Sequence, residues 1–371
     1  MTIDVQEFER RLAGVRARLE AQGVDALLAS ARENVAYLCG TRITPYTRLI
    51  GVLVPARDEA VVIVPALDGD LASQNPAGLP FRIWTDETGP YGVLGEELSK
   101  AGTGTLAIDK TAVNVRVYES LRGLVEIPAH ADATAILDEL RLRKSPPELD
   151  ALRRAAVVAD TVFSQLPSML RPDRTEAEIV AEFDALMYAA GSEEPAFETT
   201  VLAGPNATAP HARPTRRRLE PGDIVVVDAG GVVDGYCSDI TRMFSIGEPS
   251  AEDREVIDVV NAALAAGVDA ARAGTRCCDV DAASRRVIED AGYGRYFTHR
   301  TGHCLGLTPS EEPSLVAGEE HELLPGMVIT VEPGIYIAGR IGVRIEDEVV
   351  IGPDGTIEIL NKLPRDVVVC G

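Results

Sequence analysis

Asp228 and Asp239 stand eleven residues apart, with Gly230, Gly231 and Gly235 between them. Two antiparallel strands joined through such a glycine-rich hairpin can present both carboxylates to one spot. Asp234, beside Gly235, is assigned to the turn itself. Farther on, His303 follows Gly302, a setting that suits a metal-binding imidazole on a loop or a strand start. His299 lies four residues earlier, as in a helical zinc pair, but Gly302 and the surrounding turn residues argue against a helix there. Glu332 closes an apolar run, and Glu346 follows Arg344 by two. In a strand those two share a face and Asp347 points away, so Arg344 is placed to orient carboxylates or to bind substrate.

These acids are costly where they stand. Ile224–Val227 reads as a strand buried on both faces. A lone carboxylate at the end of such a strand is unfavourable unless it is paired or binds a metal. Several acids sharing one small space repel one another or must take up protons. Divalent cations remove that conflict, so the pattern predicts metal binding by Asp228, Asp239, His303, Glu332 and Glu346.

The elements that must position these residues occur twice. Aligning Pro221-Gly222 with Pro325-Gly326 places Asp228 on Glu332 and Gly230 on Gly334. Each copy is a turn, a buried strand and an acid at the strand's end. A following strand brings the second acid, Asp239 in one copy and Glu346 in the other. Helical stretches precede each copy, at 146–190 and 251–291. Two helix-plus-strand halves about a pseudo-twofold axis are therefore expected.

The chain has 371 residues, 46% of them hydrophobic and 25% charged, which favours two globular domains. Its formal charge of −22 disfavours general nucleic-acid binding. No apolar run is long enough for a membrane span, and the N-terminus does not read as a signal peptide. The six cysteines form no Cys-x-x-Cys pair and read as reduced thiols, with Cys304 as a core filler. A cytoplasmic protein is the expectation. No phosphate loop and no nucleophile-elbow motif is present.

Helical spacing covers 5–22, and strands are expected at 24–29, 50–54, 60–65, 81–84 and 105–108, alternating with helices near 33–38, 93–101 and 115–124. The first part is thus a small α/β domain. A further helix is expected at 131–143. Ser145, Pro146 and Glu148 then form a strong helix start. That helix should run to about Ser168, and another starts after Arg174-Thr175-Glu176-Ala177-Glu178 and runs to Ala190. The boundary is placed so that the domains are 1–140 and 141–371.

On these residues the chain resembles the pita-bread metallopeptidases: methionine aminopeptidase, aminopeptidase P, prolidase and the metal-free creatinase. The likeness covers residues 146–360, and the preceding domain is similar to that of the aminopeptidase P and prolidase branch. It implies an α+β fold, a pita-bread catalytic domain with a pseudo-twofold repeat behind a smaller α/β domain. It also implies two divalent metal ions, with manganese favoured by the oxygen-rich donor set and cobalt or zinc possible substitutes. In such a site two cations about 3.5–4 Å apart share a bridging hydroxide. By resemblance Asp239 and Glu346 bridge, Asp228 completes one metal, and His303 and Glu332 complete the other. Glu332 is the expected general base and later acid.

The stretch from Gly204 to Pro214 also resembles the family, where the residue at His211 faces the substrate and stabilises the intermediate. The implied reaction is hydrolysis of an Xaa-Pro bond in a dipeptide or at a peptide N-terminus, by a protein expected to be a homodimer. Arg42 and Arg48, around Thr44-Pro45-Tyr46, could help to close a partner's site, with solvent-facing arginines as the plainer reading. Two positions depart from the pattern. Cys304 replaces the glycine after the histidine ligand, and Ser310 replaces a second histidine that holds the scissile carbonyl. A serine can donate a hydrogen bond but carries no charge. Ser310 therefore keeps open a non-peptidase hydrolase or lyase acting on a small metabolite. A metal-free creatinase-like enzyme and a non-enzymatic binding module are disfavoured by the intact ligand set.

Overall fold

The computed structural model describes residues 3–44, 46–210 and 212–371. Pro45 and His211 lie outside the described residues, so the reading of His211 as a substrate-facing group is not addressed by the geometry. The chain divides into two compact units, Met1–Arg141 and Leu142–Gly371.

In the first unit, helix α1 (Val5–Gln22) starts at Asp4, whose side chain accepts from the Glu7 amide. It leads through β1 (Ala26–Ala29), α2 (Arg32–Cys39), β2 (Gly51–Pro55), β3 (Val61–Pro65), α3 (Gly69–Ser73), β4 (Phe81–Trp84), α4 (Pro90–Lys100), β5 (Leu106–Ile108), α5 (Val115–Arg122) and α6 (Ala133–Leu142). The strands form one mixed sheet in the order β4-β3-β2-β1-β5. Strands β1, β2 and β3 are buried at every residue, as their unbroken apolar runs require. The strand expected at 24–29 starts two residues later, and the short helix α3 has no counterpart in the apolar periodicity.

The second unit opens with α7 (Pro146–Phe163), capped by Ser145 and Glu148 as the sequence predicts. The helix expected to continue to Ser168 ends at Phe163 instead, and Leu166–Met169 forms a separate turn, α8. Pro167 lacks the amide that a continuous helix needs, although Leu166, Met169 and Leu170 keep the apolar spacing. Helix α9 (Glu176–Ala189) carries a second capping box, from Thr175 and Glu178. The strands β6 (Thr200–Ala203), β7 (Ile224–Ala229), β8 (Val232–Val233), β9 (Tyr236–Cys237) and β10 (Ile240–Ile246) follow.

The second half repeats the plan. Helices α10 (Ala251–Ala270) and α11 (Cys277–Asp290) precede β11 (Gly302–Cys304), β12 (Glu311–Leu315), β13 (Val328–Val331), β14 (Gly334–Ile337), β15 (Ile341–Arg344), β16 (Asp347–Ile351), β17 (Ile357–Ile359) and β18 (Val368–Cys370). The helical stretch expected over 251–291 is broken between α10 and α11. There Gly274 takes φ +87°, and its amide donates to Leu323 O at 2.8 Å.

Besides the two-stranded pairs β8-β9 and β14-β15, two larger sheets result, β18-β10-β7-β6 and β12-β11-β13-β16-β17. In each, the strand ending beside a first acid pairs antiparallel with the strand that neighbours the second: β7 with β10, and β13 with β16. One core, from Val226 and Met243 to Val331 and Val349, joins strands of both halves under α10 and α11. Cys304 is buried in it, the filler role read from the sequence.

The turn at Asp234-Gly235 has φ +49° and +83°, the type I′ geometry of a two-residue hairpin. Gly230 is required for a different reason, because a Cβ there would lie 1.7 Å from Ser238 O. Gly230→Ala is expected to destabilise the protein by about 3 kcal/mol, measured by denaturant unfolding, since backbone cannot yield as a side chain can.

Candidate metal centre

The carboxylates sit where strands end. Asp228 is the penultimate residue of β7 and lies opposite Thr241 on β10. Asp239 immediately precedes β10, two residues before Thr241, and so shares its face. Glu332 follows β13, and Glu346 occupies the short passage from β15 to β16 rather than the middle of a strand. The alternation read from the sequence survives that passage. Arg344 Nε donates to Thr241 Oγ1 at 3.2 Å, and Thr241 Oγ1 donates to Glu346 Oε2 at 2.8 Å. Asp347 turns the other way, onto Arg242 at 2.7 Å and Arg365 at 2.7 Å.

Asp228, Asp239 and Glu346 each offer an oxygen within 4.8 Å of the others. His303 adjoins them, with Nε2 at 3.3 Å from Glu332 Oε1 and 3.8 Å from Asp239 Oδ2. The β11–β12 register slips between His303 and Cys304, and such a bulge re-aims a side chain. Structure thus brings together all five residues singled out for metal binding.

Three other groups hold them that the sequence did not mark. Tyr336 Oη accepts from Arg344 at 3.0 Å and meets His299 Nε2 at 3.1 Å, so His299 belongs to the supporting shell rather than to the cluster. Thr241 links Arg344 to Glu346, and its spacing of two from Asp239 was the available signal. Glu348 accepts from the Asp239 amide at 2.6 Å and fixes the backbone there. Arg344 also bonds Asp228 and lies 3.9 Å from Glu332.

His303 Nδ1 faces Cys304 O at 3.1 Å, which makes Nδ1 the protonated nitrogen and leaves the Nε2 lone pair toward the carboxylates. Burial, with Arg300 adding to it, pushes His303 down to about 4, so the ring is neutral at pH 7. Lone pair therefore confronts carboxylate. Asp228 Oδ1 and Glu346 Oε1 are buried without a hydrogen-bond partner among the described residues. Opposed acceptors and orphaned oxygens are what a donor set for cations looks like without them.

Burial first, and then the neighbouring acids, raise Asp239 and Glu346 well above the usual carboxylate range. Glu332 rises to about 7, through burial and Asp228 against the opposing charge of Arg344. Burial takes Glu348 to about 8. For Glu332 and Glu348 the folded value exceeds the unfolded 4.5, so their contribution to stability is full at low pH and is lost as pH rises through 7 and 8. His303 acts oppositely, losing its contribution as pH falls from 6.5 toward 4. Between pH 6.5 and 8 only the acids act. Metal-free protein is therefore expected to melt at lower temperature at pH 8 than at pH 6.5, and added divalent cation to narrow the difference by neutralising the ligand acids.

A cavity of about 710 Å³ opens onto the cluster, lined also by Phe197, Arg213, His299, Arg300 and Ser310. Its size suits a dipeptide or the end of a short peptide. Ser310 Oγ does not stand free there, because it accepts from Arg300 Nη2 at 2.9 Å. In the first unit, Arg48 is committed to Asp86 by contacts of 2.9 and 2.8 Å.

With this geometry in view, residues 150–353 match the family model described as Metallopeptidase family M24. The chain belongs to metallopeptidase family M24. Residues 11–143 match the Creatinase/Prolidase N-terminal domain. The probable dipeptidase PepE of Mycobacterium tuberculosis is 37% identical, over 99% of this chain and 97% of its own. Among solved structures, dipeptidase PepE from Mycobacterium ulcerans superposes with a TM-score of 0.88 at 36% identity, covering 100% of this chain and 99% of its own. An Xaa-Pro dipeptidase from Bacillus anthracis gives 0.90 at 30%, covering 98% and 99%. The M24 chain is thus a metallopeptidase with the pita-bread catalytic fold expected from the resemblance, behind a creatinase-type N-terminal domain. Family membership implies divalent metal ions. No helix of the described residues is long and apolar enough to cross a membrane.

Proposed function

We propose that this protein hydrolyses the Xaa-Pro bond of dipeptides or of peptide N-termini with two divalent cations, manganese favoured, held by Asp228, Asp239, His303, Glu332 and Glu346. The observation that carries the reading is the cluster of four carboxylates beside a neutral imidazole whose lone pair faces two of them, Glu332 and Asp239. By family resemblance Asp228, Asp239, Glu346, His303 and Glu332 would each supply a ligand atom to the cations. When bound, the cations would activate the attacking water and polarise the scissile carbonyl.

The chain's own groups do the rest. Glu332 takes the proton from the attacking water and passes it to the leaving nitrogen. Arg344 holds Asp228 and Glu332 in place and offers positive charge toward the substrate. His211, at its place in the resembling stretch, is assigned to the substrate side. The proline preference rests on the relatives named as Xaa-Pro dipeptidases and prolidases. Catalysis is assigned to residues 141–371, with 1–140 as the N-terminal domain. A cytoplasmic location fits the six free thiols, and a homodimer is what the family resemblance implies.

Leucyl-proline, leucyl-prolyl-glycine and leucyl-leucine, offered to the manganese-loaded protein, test this. Cleavage of the bond before proline in at least one of them is expected. Cleavage of leucyl-leucine alone would remove the proline preference, and cleavage of none would favour a small-metabolite substrate.

A further inference from the structure

Three arginines line the cavity, and two are neutralised. Arg344 is bonded to Asp228, and Arg213 faces Glu198 at 3.1 Å. Arg300 differs. Its Nη1 donates to Ser314 Oγ at 2.9 Å and its Nη2 to Ser310 Oγ at 2.9 Å, and among the described residues it makes no ion pair with a carboxylate. The two hydroxyls fix the guanidinium without cancelling its charge. They come from one short stretch, since β12 runs beside β11 with Ser314 opposite His303. Ser314 in turn donates to Glu312 Oε2 at 3.1 Å, which directs its lone pairs back to the arginine. A guanidinium oriented by neutral groups at the wall of a catalytic cavity is a prepared seat for a planar anion.

In a dipeptide the anion nearest the scissile bond is the C-terminal carboxylate, one Cα removed from the leaving nitrogen. In a longer peptide an uncharged amide takes that place. We infer that Arg300, held by Ser310 and Ser314, recognises the free carboxylate of a dipeptide and makes this enzyme a dipeptidase. The inference deepens the peptidase reading and rests on it. It also gives Ser310 a use: this serine aims a charge supplied by its neighbour.

The test compares kcat and KM of the metal-loaded enzyme, wild type and Arg300→Met, on a panel of dipeptides with and without proline, their C-terminal amides, and tripeptides. A carboxylate held equally in ground and transition states shows in KM. Wild type is expected to favour free dipeptides over their amides by about 30-fold or more in kcat/KM, mainly through KM. Arg300→Met should lose that preference through a much larger fall for the free dipeptides than for their amides, and Arg300→Lys should recover part of it.

Calorimetric titration with proline, leucine and their amides gives the same comparison without turnover, so loss of the carboxylate preference there counts even if no peptide is cleaved. Equal use of acids and amides by wild type, or an equal fall for both in Arg300→Met, would overturn the assignment. A carboxylate preference on dipeptides lacking proline would sustain it while removing the Xaa-Pro reading.

Discussion

Asp239→Asn is expected to lower kcat/KM by about 1000-fold or more while leaving the protein folded, because metal-assisted charge stabilisation is worth several kcal/mol. The fold should tolerate the change for the reason that makes the position catalytic. Asp239 is 7% exposed and is driven toward protonation by burial and by Glu346, Asp228 and Glu332. An amide is close to the state that metal-free protein already prefers there. At pH 8 the metal-free variant should therefore melt at or above the metal-free wild type. Adding manganese should raise the melting temperature of wild type well beyond that of the variant. Metal content, melting curves and turnover on one preparation check all of this. A variant that keeps a tenth of the activity would remove Asp239 from the ligand set.

Arg344→Met carries the largest expected cost in stability. The guanidinium is buried, with Asp228 and Glu332 as its acidic neighbours and Thr241 and Tyr336 as its neutral ones. Burial opposes its charge, but Tyr336 and the surrounding acids hold it above its ordinary value. Removing it strands a buried acid, and breaking such a pair costs about 3–5 kcal/mol. Denaturant unfolding of metal-free protein reads that loss. Divalent cation should restore most of it by taking over the counter-charge, so the gap between variant and wild type narrows on loading. A variant as stable as wild type without metal would show that Arg344 does not neutralise the cluster.

The two predictions share a cause that was partly legible in the amino-acid order. The match of Pro221-Gly222 to Pro325-Gly326 placed Asp228 and Glu332 at equivalent strand ends, because a buried strand leaves a single place for an acid. Alternation placed Arg344 and Glu346 on one face, and it held through the passage between β15 and β16. What was not legible depends on contacts distant in sequence. Tyr336 reads as an ordinary strand aromatic until His299 and Arg344 meet its hydroxyl. Arg300 reads as a solvated charge until the β11–β12 pairing brings Ser310 and Ser314 to it. The break after Phe163 was hidden by apolar spacing that outlasts the helix, although Pro167 was in plain view.

Manganese titrated into metal-stripped protein, with binding stoichiometry and leucyl-proline hydrolysis followed together, tests the central claim most directly. No hydrolysis is expected before addition, with two ions bound per chain, activity that rises with occupancy, and neither binding nor activity in an Asp239→Asn, Glu346→Gln double variant. Hydrolysis by fully stripped protein, or undiminished binding and activity in the double variant, would contradict the claim.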